Sequence, residues 1–413
     1  MFEQNSWCPL PFFHLSADTT GNIRACCRSQ PLAHISLSTF KEAWNCESIR
    51  SIRRDFLNGK KPKACQSCWD YEAKGITSFR QRIESFVSTE SSQKMRQLTT
   101  VETGEIKAPT KYLELKLTNK CNLVCRMCNP ESSSRWAQFK KTGVGPVIHD
   151  HFSSMATKLE ILEIVNHPEF ETICFVGGEP FIDQAHFEYL SLIADKSKIA
   201  YVANTNLTHL QLGGQDVLES LKEFREITLF VSIDGDPVRQ SYIRTGIDIE
   251  MFEKNLRRIQ NANLSDKWTF NSTAVVSLLN IYHIPELIEY SLRFDLRPVP
   301  FTLLEGPAYL KLNLLPLQER QKIKEKIIAW YGTFDLNQFI ESFDLKRVRK
   351  SFLQTKRSLD QSIMSVCNAL DDVENGQALW DIFHKEMGQH DILGETSGPL
   401  VHPELYKILD EQS

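Results

Sequence analysis

Long hydrophobic runs are missing from this chain, and so is a strong excess of charge of either sign. No apolar segment of the 413 residues approaches the ~20 residues that a transmembrane helix needs. Lys plus Arg total 48 and Asp plus Glu total 52, which gives a net charge of −4 at pH 7. That balance argues against a protein built mainly to bind nucleic acid through its phosphates. The first residues, Met1 to Asn5, lack the basic and apolar regions of a signal peptide, so we expect a cytoplasmic protein without membrane contact.

A phosphate-binding P-loop and a Ser/His/Asp constellation are also absent from the sequence. The residues that stand out are the eleven cysteines, which the reducing cytoplasm is expected to keep free of disulfides. Cys46, Cys174 and Cys367 stand alone, and the apolar run around Cys174 predicts a packed core thiol. The other eight occupy clustered positions typical of metal ligands: Cys8, Cys26, Cys27, Cys65, Cys68, Cys121, Cys125 and Cys128.

The most informative motif is the loop Cys121-Asn122-Leu123-Val124-Cys125-Arg126-Met127-Cys128, which follows a strand-like run at Tyr112–Thr118. Three thiolates with this spacing can bind one face of an iron–sulfur cube and leave the fourth iron open to a small molecule. The spacing alone leaves a zinc knuckle and buried apolar cysteines as alternatives. A second motif, Gly177-Gly178-Glu179-Pro180, follows the next predicted strand.

These two motifs, each after a strand and in this order, resemble the radical S-adenosylmethionine (radical SAM) superfamily. In that family a CxxxCxxC loop follows the first barrel strand, and a GGEP-type turn follows the second. The resemblance covers roughly Tyr112 to Leu304. It implies a [4Fe–4S] cluster held by Cys121, Cys125 and Cys128, oxidoreductase-like chemistry that cleaves SAM to a 5′-deoxyadenosyl radical, and an electron donor such as flavodoxin or ferredoxin.

The resemblance also implies which residues bind SAM. By analogy the backbone of the Gly-Gly turn and Glu179 would hold the methionine ammonium, and Arg244 would meet the methionine carboxylate in a charge-assisted hydrogen bond. Met127 departs from the family, because many relatives place an aromatic residue just before the third cysteine. No catalytic residue is assigned. The implied SAM-binding set comprises Gly177, Gly178, Glu179, Pro180, Asn204, Asn206, Ser232, Asp234, Arg244 and Asn280.

The first 107 residues carry a cysteine pattern of their own. The arrangement Cys8–x12–Gly21–x4–Cys26, followed by the pair Cys65 and Cys68, resembles the opening of the SPASM/Twitch auxiliary-cluster fold. The cysteine count suits the shorter Twitch type with one auxiliary [4Fe–4S] cluster, in which Cys27 could replace Cys26. A structural zinc site is the alternative. The run Asp18 to Asn22 predicts a hairpin turn that carries Cys8 and Cys26 to the same end.

From Tyr112 onward, short β-rich runs alternate with helical ones, which predicts parallel strands joined by crossover helices. We therefore expect an α/β fold with a partial (β/α)6 TIM-type barrel at 108–305, a Twitch-like domain and linker at 1–107, and a helical C-terminal region at 306–413. The chemistry of such barrels gathers at the carboxyl ends of the strands, where both motifs fall. The predicted strands are Tyr112–Thr118, Thr172–Val176, Ile199–Asn204, Ile227–Ile233, Thr269–Ser277 and Arg297–Leu304.

The expected function is that of a radical SAM enzyme with two [4Fe–4S] clusters that modifies a peptide or protein. Radical oxidation or epimerisation of a sugar, nucleoside or other small molecule is the alternative within the same class. A zinc-binding adaptor without enzymatic activity is the alternative from another class. The sequence leaves the substrate and the attacked atom open.

Overall fold

The computed structural model describes residues 6–84, 89–139, 150–262 and 264–371, and its centre is a nine-stranded sheet. The described residues form this sheet and two small two-stranded sheets, β7-β8 and β11-β13. Their strands are β1 His14–Ala17, β2 Asn22–Arg24, β3 Pro31–His34, β4 Tyr112–Leu115, β5 Thr172–Phe175, β6 Ala200–Thr205, β7 Gln211–Leu212, β8 Gln215–Asp216, β9 Glu226–Ser232, β10 Trp268–Thr273, β11 Val275–Val276, β12 Arg297–Pro298 and β13 Thr302–Leu303. The order in the large sheet is β12-β10-β9-β6-β5-β4-β1-β2-β3.

Helices cover the sheet and form the C-terminal part of the described chain. In the first 107 residues they are α1 Leu10–Phe13, α2 Phe40–Trp44, α3 Glu47–Leu57, α4 Gln66–Ala73, α5 Phe79–Glu84 and α6 Thr89–Gln97. Between the barrel strands lie α7 Ser134–Phe139, α8 Met155–Val165, α9 Gln184–Ser191, α10 Val217–Leu221, α11 Pro237–Ile243, α12 Ile249–Asn261 and α13 Ile284–Arg293. The last group is α14 Leu317–Thr333, α15 Leu336–Phe343, α16 Lys346–Lys350 and α17 Phe352–Asp371.

The six predicted barrel strands are confirmed, and they are parallel neighbours in chain order. The last two are divided: β10 is followed by β11, and β12 by β13, with β11 and β13 paired in a small sheet of their own. Pro298 and Pro300 explain the interruption of the sixth strand, because proline has no N–H to donate to a continuous ladder. The architecture is the α/β fold with a partial TIM-type barrel that the sequence predicts, with helices after it.

Alternation along β4 separates the core from the barrel interior. Leu113 and Leu115 are completely buried and face the helical layer. Tyr112 and Glu114 lie on the opposite face of the strand, toward the interior, because successive side chains of a strand point to opposite sides. The carboxyl ends of the parallel strands meet at one edge of the sheet, and the two sequence motifs follow β4 and β5 at that edge.

The N-terminal hairpin joins the same sheet. Strand β1 runs parallel to β4, with His14 beside Tyr112 and Ala17 beside Leu115. The predicted turn between β1 and β2 is present, and Asp18 Oδ1 accepts the N–H of Asn22 at 3.1 Å. The sheet therefore continues across the expected boundary between residues 107 and 108, and the division into domains at that point stays a prediction.

The polar segment before the barrel differs from the surface linker that its composition predicts. It contains the helix α6, which places Met95 in the core with no exposed surface, and Ser92 Oγ of this helix accepts the indole N–H of Trp7 at 3.2 Å. One apolar residue in a Ser/Thr-rich stretch gives no periodic signal. The helix forms here through tertiary contacts with the N-terminus rather than through the pattern of its own sequence.

Contacts from the N-terminal region also reach the far side of the barrel. Arg28 forms an ion pair with Glu305, just after β13, and Tyr71 donates to the same carboxylate at 3.2 Å. Arg82 Nη1 donates to Thr302 Oγ1 at 2.6 Å. Because β1 already pairs with the first barrel strand, the N-terminal region contacts both the first and the last strand and bridges the open side of the partial barrel.

The C-terminal helices pack in a second apolar core against α13, with Ile323 and Ile327 of α14 and Val366 of α17 buried in it. Within this region Ser351 separates α16 from α17. The part of the region after Asp371 lies outside the described residues. None of the described helices combines the length and the hydropathy of a bilayer span.

Replacement of Arg53 tests how much its buried polar contacts contribute to the stability of the N-terminal region. Its guanidinium is inaccessible to solvent, donates to Pro11 O at 2.7 Å and to Gly104 O at 3.2 Å, and lies 4.2 Å from the ring centroid of Trp44. Arg53→Ala leaves these carbonyls without donors, so we expect the free energy of unfolding to fall by about 3 kcal/mol, measured by urea denaturation followed through tryptophan fluorescence.

The matched control for this prediction is Arg54→Ala. Arg54 is the next residue of α3 and forms a surface ion pair with Glu47, and we expect its removal to cost less than about 1 kcal/mol. Equal losses in the two variants would contradict a special contribution from the buried guanidinium.

Candidate active site

The cysteine loop 121–128 lies at the carboxyl end of β4. Cys125 is buried, and Cys121 and Cys128 are half-buried. Burial raises the pKa of the Cys121 and Cys125 thiols to about 12, and thiols of this trio raise one another's pKa further. A cationic metal centre would offset that cost, because it stabilises the thiolate form. The donor set therefore fits an iron–sulfur cluster held by three cysteines.

A backbone ladder holds the loop on one side. Val124 N donates to Thr245 O at 2.9 Å, and Arg126 N donates to Ile243 O at 2.8 Å. The Arg126 side chain adds a hydrogen bond from Nε to Tyr242 O at 3.0 Å, and its guanidinium lies 3.8 Å from the centroid of the Tyr242 ring. The loop is thus fixed to the C-terminal end of α11 and to the residues just after it.

The other side of the loop is held by residues that the sequence did not single out. Trp136 Nε1 donates to Cys125 O at 2.6 Å, and Ser133 Oγ donates to Leu123 O at 2.8 Å. Trp136 is 1% exposed. A tryptophan eleven residues after a cysteine has no recognisable spacing, so only the folded chain shows this contact.

The Gly-Gly turn after β5 packs directly on the cysteine loop. Gly177 and Gly178 both have positive φ, +80° and +50°. A Cβ at Gly177 would overlap the side chain of Lys116, and a Cβ at Gly178 would overlap the carbonyl oxygen of Lys120. Glu179 N then donates to that same carbonyl at 2.7 Å. Only glycine permits this close approach of the two backbones.

The carboxylate of Glu179 ties the turn to the end of the next strand. It is 1% exposed, and it accepts Thr205 Oγ1 at 2.6 Å, Asn206 N at 2.6 Å and Phe181 N at 3.2 Å. Burial raises its pKa to about 7, and these hydrogen bonds oppose the rise. Each carboxylate oxygen can accept more than one hydrogen bond, so the predicted contact between Glu179 and the methionine ammonium stays a prediction. Pro180 is buried and begins a short 3-10 turn.

Three predicted residues lie at the ends of β6 and β9. Asn206 is buried and connects the strand end to the cysteine loop, since its Nδ2 donates to Asn122 Oδ1 at 3.0 Å. Asn204 is exposed and Ser232 is half-buried, and both lie on the interior side of their strands. The structure thus brings these strand ends to the edge that carries both motifs.

The remaining three predicted residues form a buried network behind the loop. Arg244 pairs with Asp234 at 2.7 Å, and its Nη1 lies 3.8 Å from Cys125 Sγ. Asn280 is 1% exposed and donates through Nδ2 to Asp234 O and Val275 O, both at 2.9 Å. These side chains bind one another and the backbone, and their predicted contacts with SAM stay predictions.

A second group of cysteines lies in the N-terminal region. Four thiols line one cavity with about 410 Å³ of empty space, part of it open to solvent: Cys8, Cys26, Cys65 and Cys68. Cys8 and Cys68 are buried, and Cys26 and Cys65 are half-buried. No three His, Cys, Asp or Glu side chains in the described parts of the chain converge closely enough to hold a single metal ion. A four-iron cube takes one thiolate for each iron, so its ligands need not meet at one point.

Cys27 differs from these four cysteines in its surroundings. It does not line the four-cysteine cavity. Although its side chain is exposed, desolvation is the main cause that raises the pKa of the Cys27 thiol, followed by the charge of Glu114. Cys174, on the strand β5, is among its neighbours. The geometry therefore groups Cys26, and not Cys27, with the other three thiols.

Glu114 lies on the interior face of β4, close to the N-terminal cysteines. Its charge acts on Cys26 and Cys27, and its neighbour Lys116 acts on Cys128. Burial raises the pKa of Glu114 to about 7, while Lys116 and Arg28 oppose the rise. The sequence could have indicated Glu114, because alternation along the first predicted strand places Glu114 and Lys116 as charged residues on its interior face.

A cleft next to the four-cysteine cavity leads toward the last barrel strand. Cys68 lines both cavities. The cleft combines two guanidinium groups with aromatic rings, hydroxyls and a carboxylate, contributed by Arg28, Ser67, Tyr71, Thr77, Phe79, Arg82, Thr302 and Glu305.

Comparison with known proteins agrees with this site. The family model described as Radical SAM superfamily matches residues 115–290. An uncharacterized protein of Methanocaldococcus jannaschii is 25% identical over 228 residues, which cover 52% of this chain and 71% of that protein. The tungsten-containing aldehyde ferredoxin oxidoreductase cofactor-modifying protein of Pyrococcus furiosus is 25% identical over 236 residues, 56% of this chain and 58% of the relative.

Among solved structures, native anSMEcpe with bound AdoMet and the Kp18Cys peptide is 20% identical, with a TM-score of 0.39, and the match covers 55% of this chain and 62% of that one. The chain thus spans less than two thirds of this structure and of the Pyrococcus furiosus protein. The family match includes the cysteine loop, the Gly-Gly turn and the ends of the strands β4 to β10. Residues 115–290 are therefore a radical SAM domain.

Proposed function

We propose that this chain cleaves SAM reductively and uses the resulting 5′-deoxyadenosyl radical to remove a hydrogen atom from a peptide or protein, with an auxiliary [4Fe–4S] cluster in its N-terminal region. The observation that carries the proposal is the contact between the cysteine loop and the Gly-Gly turn at the carboxyl edge of the sheet. That contact is tight because Glu179 N bonds Lys120 O at 2.7 Å.

Cys121, Cys125 and Cys128 would hold the reactive [4Fe–4S] cluster. When bound, such a cluster supplies the electron that breaks the S–C5′ bond of SAM. The chain's own contribution is to place its ligands and to exclude water. The ladder from Val124 and Arg126 to the 243–245 backbone fixes the loop before any ligand binds.

The SAM site would lie over the loop, between the Gly-Gly turn and the ends of β6 and β9. The backbone of Gly177 and Gly178 would hold the methionine ammonium, since carbonyl oxygens attract a cation. Asn204 and Ser232 are accessible on the interior side and suit the ribose and methionine groups. For Glu179, Pro180, Asn206 and Asn280 the existing contacts support a role in shaping the turn and the strand ends.

The auxiliary cluster would be bound by Cys8, Cys26, Cys65 and Cys68, in a Twitch-like unit at 1–107 that precedes the barrel at 108–305 and the helical region at 306–413. Support comes from the single cavity that these four thiols line. Four ligands leave no open iron in such a cluster, which favours electron acceptance from a substrate radical over direct substrate binding.

The substrate would bind on the interior side of the sheet near Glu114 and enter along the cleft beside Cys68. The guanidinium, carboxylate and aromatic groups of that cleft suit the mixed side chains and backbone of a peptide. Oxidation or epimerisation of a sugar, nucleoside or other small molecule is the alternative. A reduced flavodoxin or ferredoxin would donate the electron, and the free thiols and clusters favour a cytoplasmic location.

Replacement of the central loop cysteine tests the reactive cluster. Cys125→Ala removes one of three thiolate ligands, so we expect the release of 5′-deoxyadenosine from SAM by dithionite-reduced protein to fall at least ~100-fold. The measurement is chromatography of the anaerobic reaction.

The matched control is Cys367→Ala, which removes a buried cysteine of α17 far along the chain from the loop and is expected to keep the activity. Wild-type rates in Cys125→Ala would contradict the proposal. Colourless protein that contains zinc, without iron or sulfide, would favour the adaptor instead.

Gly178→Ala tests the contact between turn and loop. The added Cβ would overlap Lys120 O, so we expect the affinity for SAM, measured by equilibrium dialysis, to fall at least ~10-fold. Gly213→Ala is the control, because Gly213 also has positive φ (+58°) but no atom within 4 Å of its Cβ position. Similar losses in both variants would show that backbone strain alone matters.

The iron content after anaerobic reconstitution tests whether Cys26 or Cys27 binds the auxiliary cluster. We expect Cys26→Ser to lose about half of the bound iron, since one of two four-iron clusters is lost, while Cys27→Ser keeps it. The opposite result would place Cys27 in the auxiliary site.

A further inference from the structure

We infer that the buried ion pair between Asp234 and Arg244 sets the reduction potential of the cluster at the cysteine loop. Arg244 Nη1 approaches Cys125 Sγ at 3.8 Å, within hydrogen-bond range for sulfur. Reduction adds one negative charge to the cluster, and a guanidinium beside a ligand sulfur stabilises the reduced form. Net charge and hydrogen bonds to the sulfurs are known determinants of such potentials. The inference rests on the proposed function, because it requires a cluster in the loop.

The ion pair is held rigidly. Asp234 is completely buried and pairs with Arg244 Nη2 at 2.7 Å. Its Oδ1 accepts Val275 N at 2.8 Å, and its own N–H donates to Gln240 Oε1 at 2.8 Å. Charges in this position are screened little by water or salt, so their effect on a neighbouring charge is large.

The two charges act on the loop with opposite signs. The guanidinium of Arg244 lies 3.8 Å from Cys125 Sγ, and the carboxylate of Asp234 lies 2.7 Å from the same guanidinium. A positive charge beside the cluster stabilises an added electron, and a negative charge destabilises it. Removal of the guanidinium and removal of the carboxylate should therefore shift the potential in opposite directions.

Contacts within the chain hold the guanidinium in this position. The residues on either side of Arg244 accept hydrogen bonds from the loop backbone, through Ile243 O and Thr245 O. Arg244 is thus fixed behind the loop, with one amino group on Asp234 and the other toward Cys125. Its influence on the potential must consequently be measurable in the absence of SAM, apart from any contact with the methionine carboxylate.

The experiment is an EPR-monitored redox titration of the reconstituted full-length protein without SAM, following the cluster signal that later responds to added SAM. For Arg244→Gln we expect the ratio of reduced to oxidised cluster at a fixed potential to fall about tenfold, a shift of about 59 mV to more negative potential for a one-electron couple. For Asp234→Asn we expect a shift in the opposite direction. Arg239→Gln removes a guanidinium from α11, the helix just before Arg244, where it pairs with Asp236, and is expected to leave the potential unchanged.

Opposite shifts in the two single variants support the inference, because a purely structural disturbance gives no reason for opposite signs. Unchanged potentials, or shifts in the same direction, overturn it. Should either single variant fail to take up iron, the double variant Arg244→Gln/Asp234→Asn decides, since it removes both charges and leaves no unpaired buried ion.

In the double variant we expect a more negative potential, because the guanidinium lies nearer to the sulfur; an equal or higher potential overturns the inference. Wild-type protein without a SAM-responsive iron–sulfur signal would refute the proposed function itself, which is a different outcome from an intact cluster with an unaltered potential.

Discussion

The site depends on a close contact between two backbones, the cysteine loop after the first barrel strand and the Gly-Gly turn after the second. Glu179 secures it at both ends, with its N–H on Lys120 O and its carboxylate on Thr205 and Asn206. Three successive strand ends are joined in this way by one buried residue. The cost of burying the carboxylate is visible in its raised pKa of about 7, and the hydrogen bonds offset part of that cost.

The N-terminal region is part of the same architecture rather than an appendage. Its strand β1 extends the barrel sheet beside β4, and its contacts through Arg82 and Arg28 reach Thr302 in β13 and Glu305 just after it. The four-cysteine cavity borders these contacts, because Arg28 lines the cavity and forms the ion pair with Glu305.

Much of the fold was predictable because barrel strands are buried on both faces and read as short β-rich runs between helical segments. All six strands and their order follow from that alternation. The helix α6 and the pairing of β1 with β4 were not predictable, since a Ser/Thr-rich stretch carries no periodic signal and nothing in a four-residue strand specifies its partner. Partners far away in the chain stabilise both elements.

The sequence by itself determined the chemistry: three cysteines at fixed spacing and a Gly-Gly turn after the next strand belong to one family, and they are local in the chain. Tertiary structure alone decided which thiol of the Cys26-Cys27 pair joins the N-terminal group, because adjacent residues differ only in the direction of their side chains. It also decided that Asp234 and Arg244 bind each other behind the loop. Such pairings join residues from separate elements, and their geometry exists only once the sheet has aligned its strand ends.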